Sequence, residues 1–268
     1  MKSIVKFINR YPLITYFVLA YAFAWIFYPL IERSAVYGLP GLFAPALAAI
    51  IVCWAAGGRS GIGNLLRKLA IWRVGFIWYV IALGLPIVLS FLVAILGRYF
   101  GGDPVLQMAP ITPLSLVVFV LVVGEELGWR GYAQPQLEKS FLPLIAAVIL
   151  GVVWGFWHLP NFFIPSLPHY EIPLAAFVLY TVGLSVLAAW LLKYTRGSVL
   201  IATLFHGSTN TFGFLTPGLD VTIRWWLIGG MYLGAAVLVA LVFGVRLYRS
   251  RSPDSLEPSL SAPPSAEL

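Results

Sequence analysis

The chain has 268 residues, 60% of them hydrophobic and only 10% charged, with a mean hydropathy of +0.92. A soluble domain carries about 25% charged residues, so a water-soluble globule, a disordered chain, a collagen and a coiled coil are excluded, and lipid must solvate most of this protein. The net charge of +7 arises from basic residues scattered between apolar runs, not gathered on one face, and gives no support to nucleic-acid binding.

Eight apolar runs approach the about 20 residues that a helix needs to cross a bilayer. They lie near 12–32, 38–57, 75–97, 113–132, 141–160, 173–193, 198–216 and 225–246. The first follows Lys2, Lys6 and Arg10 and contains Ala20-Tyr21-Ala22, which resembles a signal-peptide cleavage site. Its apolar character continues past that point, so an uncleaved first helix is expected. Cys53 sits in the second run, where it cannot form an internal disulfide and reads as a small core residue.

Between the second and third runs, residues 60–74 (SGIGNLLRKLAIWRV) space Ile62, Leu65, Leu66 and Leu69 at helical intervals, with Arg67, Lys68 and Arg73 elsewhere around the surface. That pattern predicts a short amphipathic helix on the inner leaflet. In the last run, Gly230 and Gly234 form a small-xxx-small pair suited to close helix packing. Beyond Arg251 the chain is rich in Ser and Pro without an apolar period, which predicts a disordered cytoplasmic tail over 252–268 after a transmembrane domain over 1–251.

An inside N-terminus places 14 of the 17 Lys and Arg residues on the inner side, leaving Arg33, Arg98 and Arg224 outside. This bias predicts both termini in the cytoplasm and an even number of spans. The expected fold is therefore an all-α polytopic membrane protein of about eight transmembrane helices, in a bacterial-type cell membrane.

Polar residues within the apolar runs are few. Glu125 and Glu126 are adjacent inside the fourth run. A charge at the bilayer centre costs about 2.5–3.5 kcal/mol on insertion scales, so the pair must face protein or a wet cavity and must have partners. Arg130 lies one helical turn after Glu126 on the same face, and also marks a cytoplasmic helix end. Glu125 points about 100° away around the helix. Glu126, paired with Arg130, is expected to stay ionised and anchor the helix, while Glu125 faces a reaction centre as a general base.

His158 lies in the fifth run and His206 in the seventh, where Asn210 shares its face one turn on. His169 falls in an outer loop beside Pro168 and Tyr170 and reads as solvated. A carboxylate and an imidazole can deprotonate a water, and a second imidazole with an amide can hold the oxyanion formed at a carbonyl. The same Glu125, His158 and His206 could instead hold Zn2+ with a position left for water, although no HExxH motif is present. In straight upright helices His158 falls near the outer end of its span, Glu125 near mid-membrane and His206 toward the inner side, so a shared site requires tilt or a kink.

Three ordered motifs carry a resemblance. Glu125-Glu126-x-x-x-Arg130 followed by Gly131-Tyr132, then Trp154-Gly155-Phe156-Trp157-His158, then His206-Gly207-Ser208-Thr209-Asn210, together resemble the CPBP family. That family groups type II CAAX prenyl endopeptidases with bacterial Abi-type proteins. The second motif departs from the usual Phe-x-x-x-His by an aromatic exchange to Trp154. The match covers about residues 113–215, with similar but less specific features at Leu66-Arg67, Trp72-Arg73-Val74 and Trp78-Tyr79. The resemblance implies an intramembrane endopeptidase acting on a membrane-associated peptide or protein. Glu125 and His158 would activate water, His206 and Asn210 would stabilise the oxyanion, and Glu126 and Arg130 would support them. Both metal-dependent and metal-free glutamate mechanisms are associated with the family, so no cofactor is required by the resemblance and Zn2+ is an allowed one. An ion-coupled transporter using the glutamate pair as a relay, and a non-catalytic scaffold or immunity protein, are the competing readings; the paired discontinuous helices that favour transport are not evident.

Overall fold

The computed structural model describes residues 2–31, 34–103 and 105–248. Arg33, Arg249, Arg251 and the predicted tail over 252–268 lie outside the described residues. The elements in chain order are α1 (Lys2–Arg10), α2 (Pro12–Trp25), α3 (Tyr28–Ile31), a 3-10 segment (Ala35–Phe43), α4 (Ala44–Leu66) and α5 (Phe76–Gly97). They continue with β1 (Gln107–Met108), α6 (Pro113–Leu121), α7 (Val123–Gly128), α8 (Gln134–Leu137), α9 (Pro143–Trp157), α10 (Leu174–Tyr194), α11 (Val199–Thr211), β2 (Phe214–Leu215) and α12 (Val221–Phe243). The two short strands pair antiparallel, Gln107 opposite Leu215.

The protein is an all-α polytopic membrane protein: each of the eight apolar runs contains a helix, and among the described residues five helical stretches are long and apolar enough to cross a bilayer. Helix starts follow local chemistry. Proline occupies the first position of α2, α6 and α9, where its missing N–H costs nothing. Thr112, Ser198 and Asp220 cap α6, α11 and α12 by accepting from the backbone N–H three residues on.

Two expected elements change form. The segment predicted as a separate amphipathic helix is continuous with α4 up to Leu66, after a kink at Gly58, whose φ of 55° and ψ of −140° suit glycine. A 3-10 turn over Arg67–Ala70 completes it, and the chain from Ile71 to Gly75 is not helical. The fourth run is not one regular helix: α6 and α7 are followed by a π-helical turn over Trp129–Ala133 and then by α8.

The bundle is organised around α10, which is largely buried. Glycines allow its neighbours to approach closely. A Cβ on Gly151 of α9 would lie 2.6 Å from Val182 Cα, and one on Gly155 would lie 2.7 Å from Thr181 Oγ1. On the other side, a Cβ on Gly183 would lie 2.5 Å from the Tyr232 carbonyl carbon, and one on Gly229 of α12 would lie 2.6 Å from Ala176 O. The expected contact through Gly230 and Gly234 does not form, because nothing stands within 4 Å of a Cβ at either position. The close approach is set one residue earlier, at Gly229.

Substituting these glycines separates the two faces. Gly183→Val forces α10 and α12 apart and destabilises by about 1–3 kcal/mol or more. Gly230→Ala is neutral or stabilising by up to about 1 kcal/mol, since it gains helix propensity without a clash. Thermal unfolding in detergent micelles checks both.

Candidate functional site

The element that carries the two glutamates is pressed against the start of α4. A Cβ on Gly124 would lie 2.7 Å from Leu42 O, and one on Gly128 would lie 2.4 Å from Pro45 Cβ. This leaves no freedom for α7 to rotate. The π-helical turn over Trp129–Ala133 follows directly, a local widening frequent at functional sites. Glu125, Glu126 and Arg130 are all buried.

Glu126 reaches two partners. Its Oε2 lies 3.4 Å from Arg130 Nε, an ion pair one turn along its own chain that does not meet hydrogen-bond geometry. Its Oε1 accepts from His206 Nδ1 at 2.9 Å, across to α11. The expected Arg130 pairing is present, and the histidine contact adds to it. A carboxylate on one imidazole nitrogen fixes the ring's orientation and aims the other nitrogen elsewhere.

Glu125 faces a different helix. Its Oε2 accepts from Trp154 Nε1 at 2.9 Å, a buried bond to α9. The Trp154 ring also carries the Arg130 guanidinium carbon 4.7 Å above its centroid and meets the His206 ring edge-on at 5.0 Å. Its carbonyl accepts from His158 Nδ1 at 2.9 Å, which leaves Nε2 of a neutral His158 as the acceptor nitrogen. Sequence reasoning passed over Trp154 as an aromatic exchange. Its position one turn before His158 and its indole N–H, which phenylalanine lacks, were the available signals.

Glu125, Trp154, His158, His206 and Asn210 all line one cavity of about 620 Å³. α9 is short and ends at Trp157, so that His158 caps the helix before a 3-10 turn over Leu159–Phe163. Asn210 is exposed and stands at the accessible edge, with Thr209 Oγ1 3.4 Å from its Oδ1. The cavity wall is otherwise apolar and aromatic, including Phe27, Leu42, Val122, Phe177 and Trp225.

His169 does not stand in open solvent. The loop between α9 and α10 folds back so that its ring stacks on His158 at 5.8 Å and 21°, against Phe162 and Phe177, and it lines the same cavity. Burial pushes its imidazole down to about 4, so it is uncharged near neutral pH. Phe162, whose ring meets His169 at 5.5 Å, was the sequence signal that the loop packs.

Glu125, His158 and His206 each keep one donor atom outside the bonds described above, the Nε2 of either ring and the second Glu125 oxygen. Among the described residues no three His, Cys, Asp or Glu side chains assemble as a ligand set.

Comparison with known proteins places this arrangement. Residues 107–212 match the family model described as type II CAAX prenyl endopeptidase Rce1-like, a stretch that contains all three motifs. Over 193 residues the chain is 26% identical to CAAX prenyl protease 2 of Methanococcus maripaludis, spanning 64% of this chain and 69% of the relative. The stretch whose three motifs converge on one cavity is thus similar to type II CAAX prenyl endopeptidases of the Rce1-like family.

Proposed function

We propose that this protein is an intramembrane endopeptidase that hydrolyses a peptide bond of a membrane-associated protein, with Glu125 and His158 activating water and His206 and Asn210 holding the oxyanion. The observation that carries the reading is that these four side chains, from α7, the end of α9 and α11, line a single cavity. The relative's name makes a prenylated peptide ending in a CAAX sequence the first substrate to test.

The chemistry follows from the donors and acceptors present. A water between Glu125 and His158 Nε2 gives its proton to the Glu125 carboxylate as its oxygen attacks the peptide carbonyl carbon. The carbonyl oxygen gains charge and is met by the Asn210 amide and by His206 Nε2–H. With Nδ1–H donated to Glu126, His206 donates from Nε2 only as an imidazolium, and the Glu126 carboxylate offsets that charge. Collapse breaks the C–N bond, and the leaving amine takes the proton from Glu125. Arg130 pairs with Glu126 on the side away from His206, through the other carboxylate oxygen.

Two substitutions test this. Glu125→Gln keeps the size and the capacity to accept from Trp154 but cannot take a proton, so cleavage of a farnesylated CAAX-tailed peptide falls by about 10²–10⁴-fold, with the melting temperature in detergent little changed; full retention of cleavage rejects Glu125 as the base. Trp154→Phe removes the indole donor to Glu125. A hydrogen bond to a charged group contributes about 1.5–3 kcal/mol, so kcat falls about 10–100-fold with KM nearly constant. An unaltered kcat removes Trp154 from any role in orienting the carboxylate.

A further inference from the structure

A separate pocket shares no lining residue with the cavity that holds Glu125. It measures about 280 Å³ and is lined by Lys68, Arg130, Gln134, Glu138, Lys193 and Arg196, among others. A liquid water occupies about 30 Å³, so the pocket has room for a tetrahedral oxyanion with attached atoms. Four cations thus face one carboxylate, and that carboxylate is already engaged: Glu138 pairs with Lys193 through one oxygen and accepts from Gln134 Nε2 at 2.9 Å through the other.

The cations retain unused donors. The Arg130 guanidinium is fully buried, and none of its three nitrogens has a hydrogen-bond acceptor within the protein. Lys68 gives one of its three protons to Gly131 O at 2.6 Å. Arg196 uses one guanidinium nitrogen on the Arg73 carbonyl. Its backbone, at φ 58°, is left-handed and is followed by Gly197 at φ 78°, a turn that carries the chain from α10 toward α11 beside the pocket.

The surroundings indicate where the ligand comes from. An adjacent pocket shares Glu138 and Lys193 and adds Lys139 and Arg246, and another shares Arg196 and adds Arg73. These residues follow the ends of α4, α8, α10 and α12, with exposed Trp72 and Tyr248 beside them, as expected at a membrane–water boundary. Basic pockets between helix ends at that level suit phosphate headgroups.

We propose that this pocket binds a phosphate-class anion, met either as the headgroup of an anionic phospholipid or as free phosphate. The planar guanidinium of Arg196 and the ammonium groups of Lys68 and Lys193 suit such an oxyanion, with the buried Arg130 charge adding to the local positive field. The ligand sits one side chain from Glu126 and does not enter the cavity that holds Glu125.

The test uses the purified full chain in detergent, equilibrated with mixed micelles of dioleoyl-phosphatidylglycerol and dioleoyl-phosphatidylcholine, with retained lipid counted by native mass spectrometry. The proposal expects preferential retention of phosphatidylglycerol. Each cation beside an anionic headgroup is worth about fivefold in binding, so Arg196→Asn combined with Lys68→Gln lowers retention by about tenfold or more. Asn is chosen at position 196 because it tolerates a left-handed backbone. Arg224→Gln, at the start of α12, leaves retention unchanged. In a parallel arm, inorganic phosphate replaces lipid and the shift in melting temperature relative to chloride is read. A phosphate shift that the double substitution removes, without lipid preference, assigns the pocket to free phosphate. Equal retention of the two lipids together with no phosphate shift in the unsubstituted protein overturns the proposal, as does loss of phosphatidylglycerol equally with Arg224→Gln.

Discussion

Two adjacent carboxylates placed inside a lipid-solvated bundle set the terms for everything around them. Each would cost several kcal/mol if left facing hydrocarbon, and successive residues on a helix cannot share a partner because they point about 100° apart. The structure meets this by giving each glutamate its own helix. Glu125 is held by Trp154 on α9, and Glu126 is held by His206 on α11 and by Arg130. The burial requirement therefore ties three spans together, and the same ties define the walls of the cavity. Close packing of α7 on the start of α4 through Gly124 and Gly128 keeps the pair from rotating away.

Trp154 occupies the centre of this arrangement. One residue donates to Glu125, lies under Arg130, touches the edge of His206 and accepts from His158. A phenylalanine at this position could supply the aromatic face and the carbonyl but not the N–H. The aromatic exchange in the second motif thus gives this chain a buried N–H donor to Glu125. Arg130 and Glu126 are both fully buried, which strengthens their attraction in a low-dielectric setting.

Much of this was legible from the sequence because lipid imposes simple rules. Apolar runs of about 20 residues announce helices, and each of the eight runs contains one. The rarity of Glu125, Glu126, His158 and His206 in those runs marks them for attention, since the bilayer penalises polar groups that have no task. The less legible features depend on three-dimensional fit. The π-helical turn after Gly128 has no compositional mark, and the kink at Gly58 sits within a glycine-rich stretch that reads equally as a loose helix. Which glycine touches a neighbour is decided by the face each presents, so Gly229 makes the contact expected of Gly230 and Gly234. His169 was misplaced because a loop between spans is normally wet, whereas this one is rich in aromatic side chains and folds back over His158.

The account depends on Glu126 acting through His206, and a double-mutant cycle addresses that link directly. Cleavage of a CAAX-tailed peptide and thermal stability are measured for Glu126→Gln, His206→Ala and the pair. Residues joined by a hydrogen bond in one network couple by about 0.5–3 kcal/mol, so the double substitution should cost clearly less than the two single costs added together. Costs that add to within about 0.5 kcal/mol in both measurements would mean that the two side chains act independently, and would contradict the arrangement described for this site.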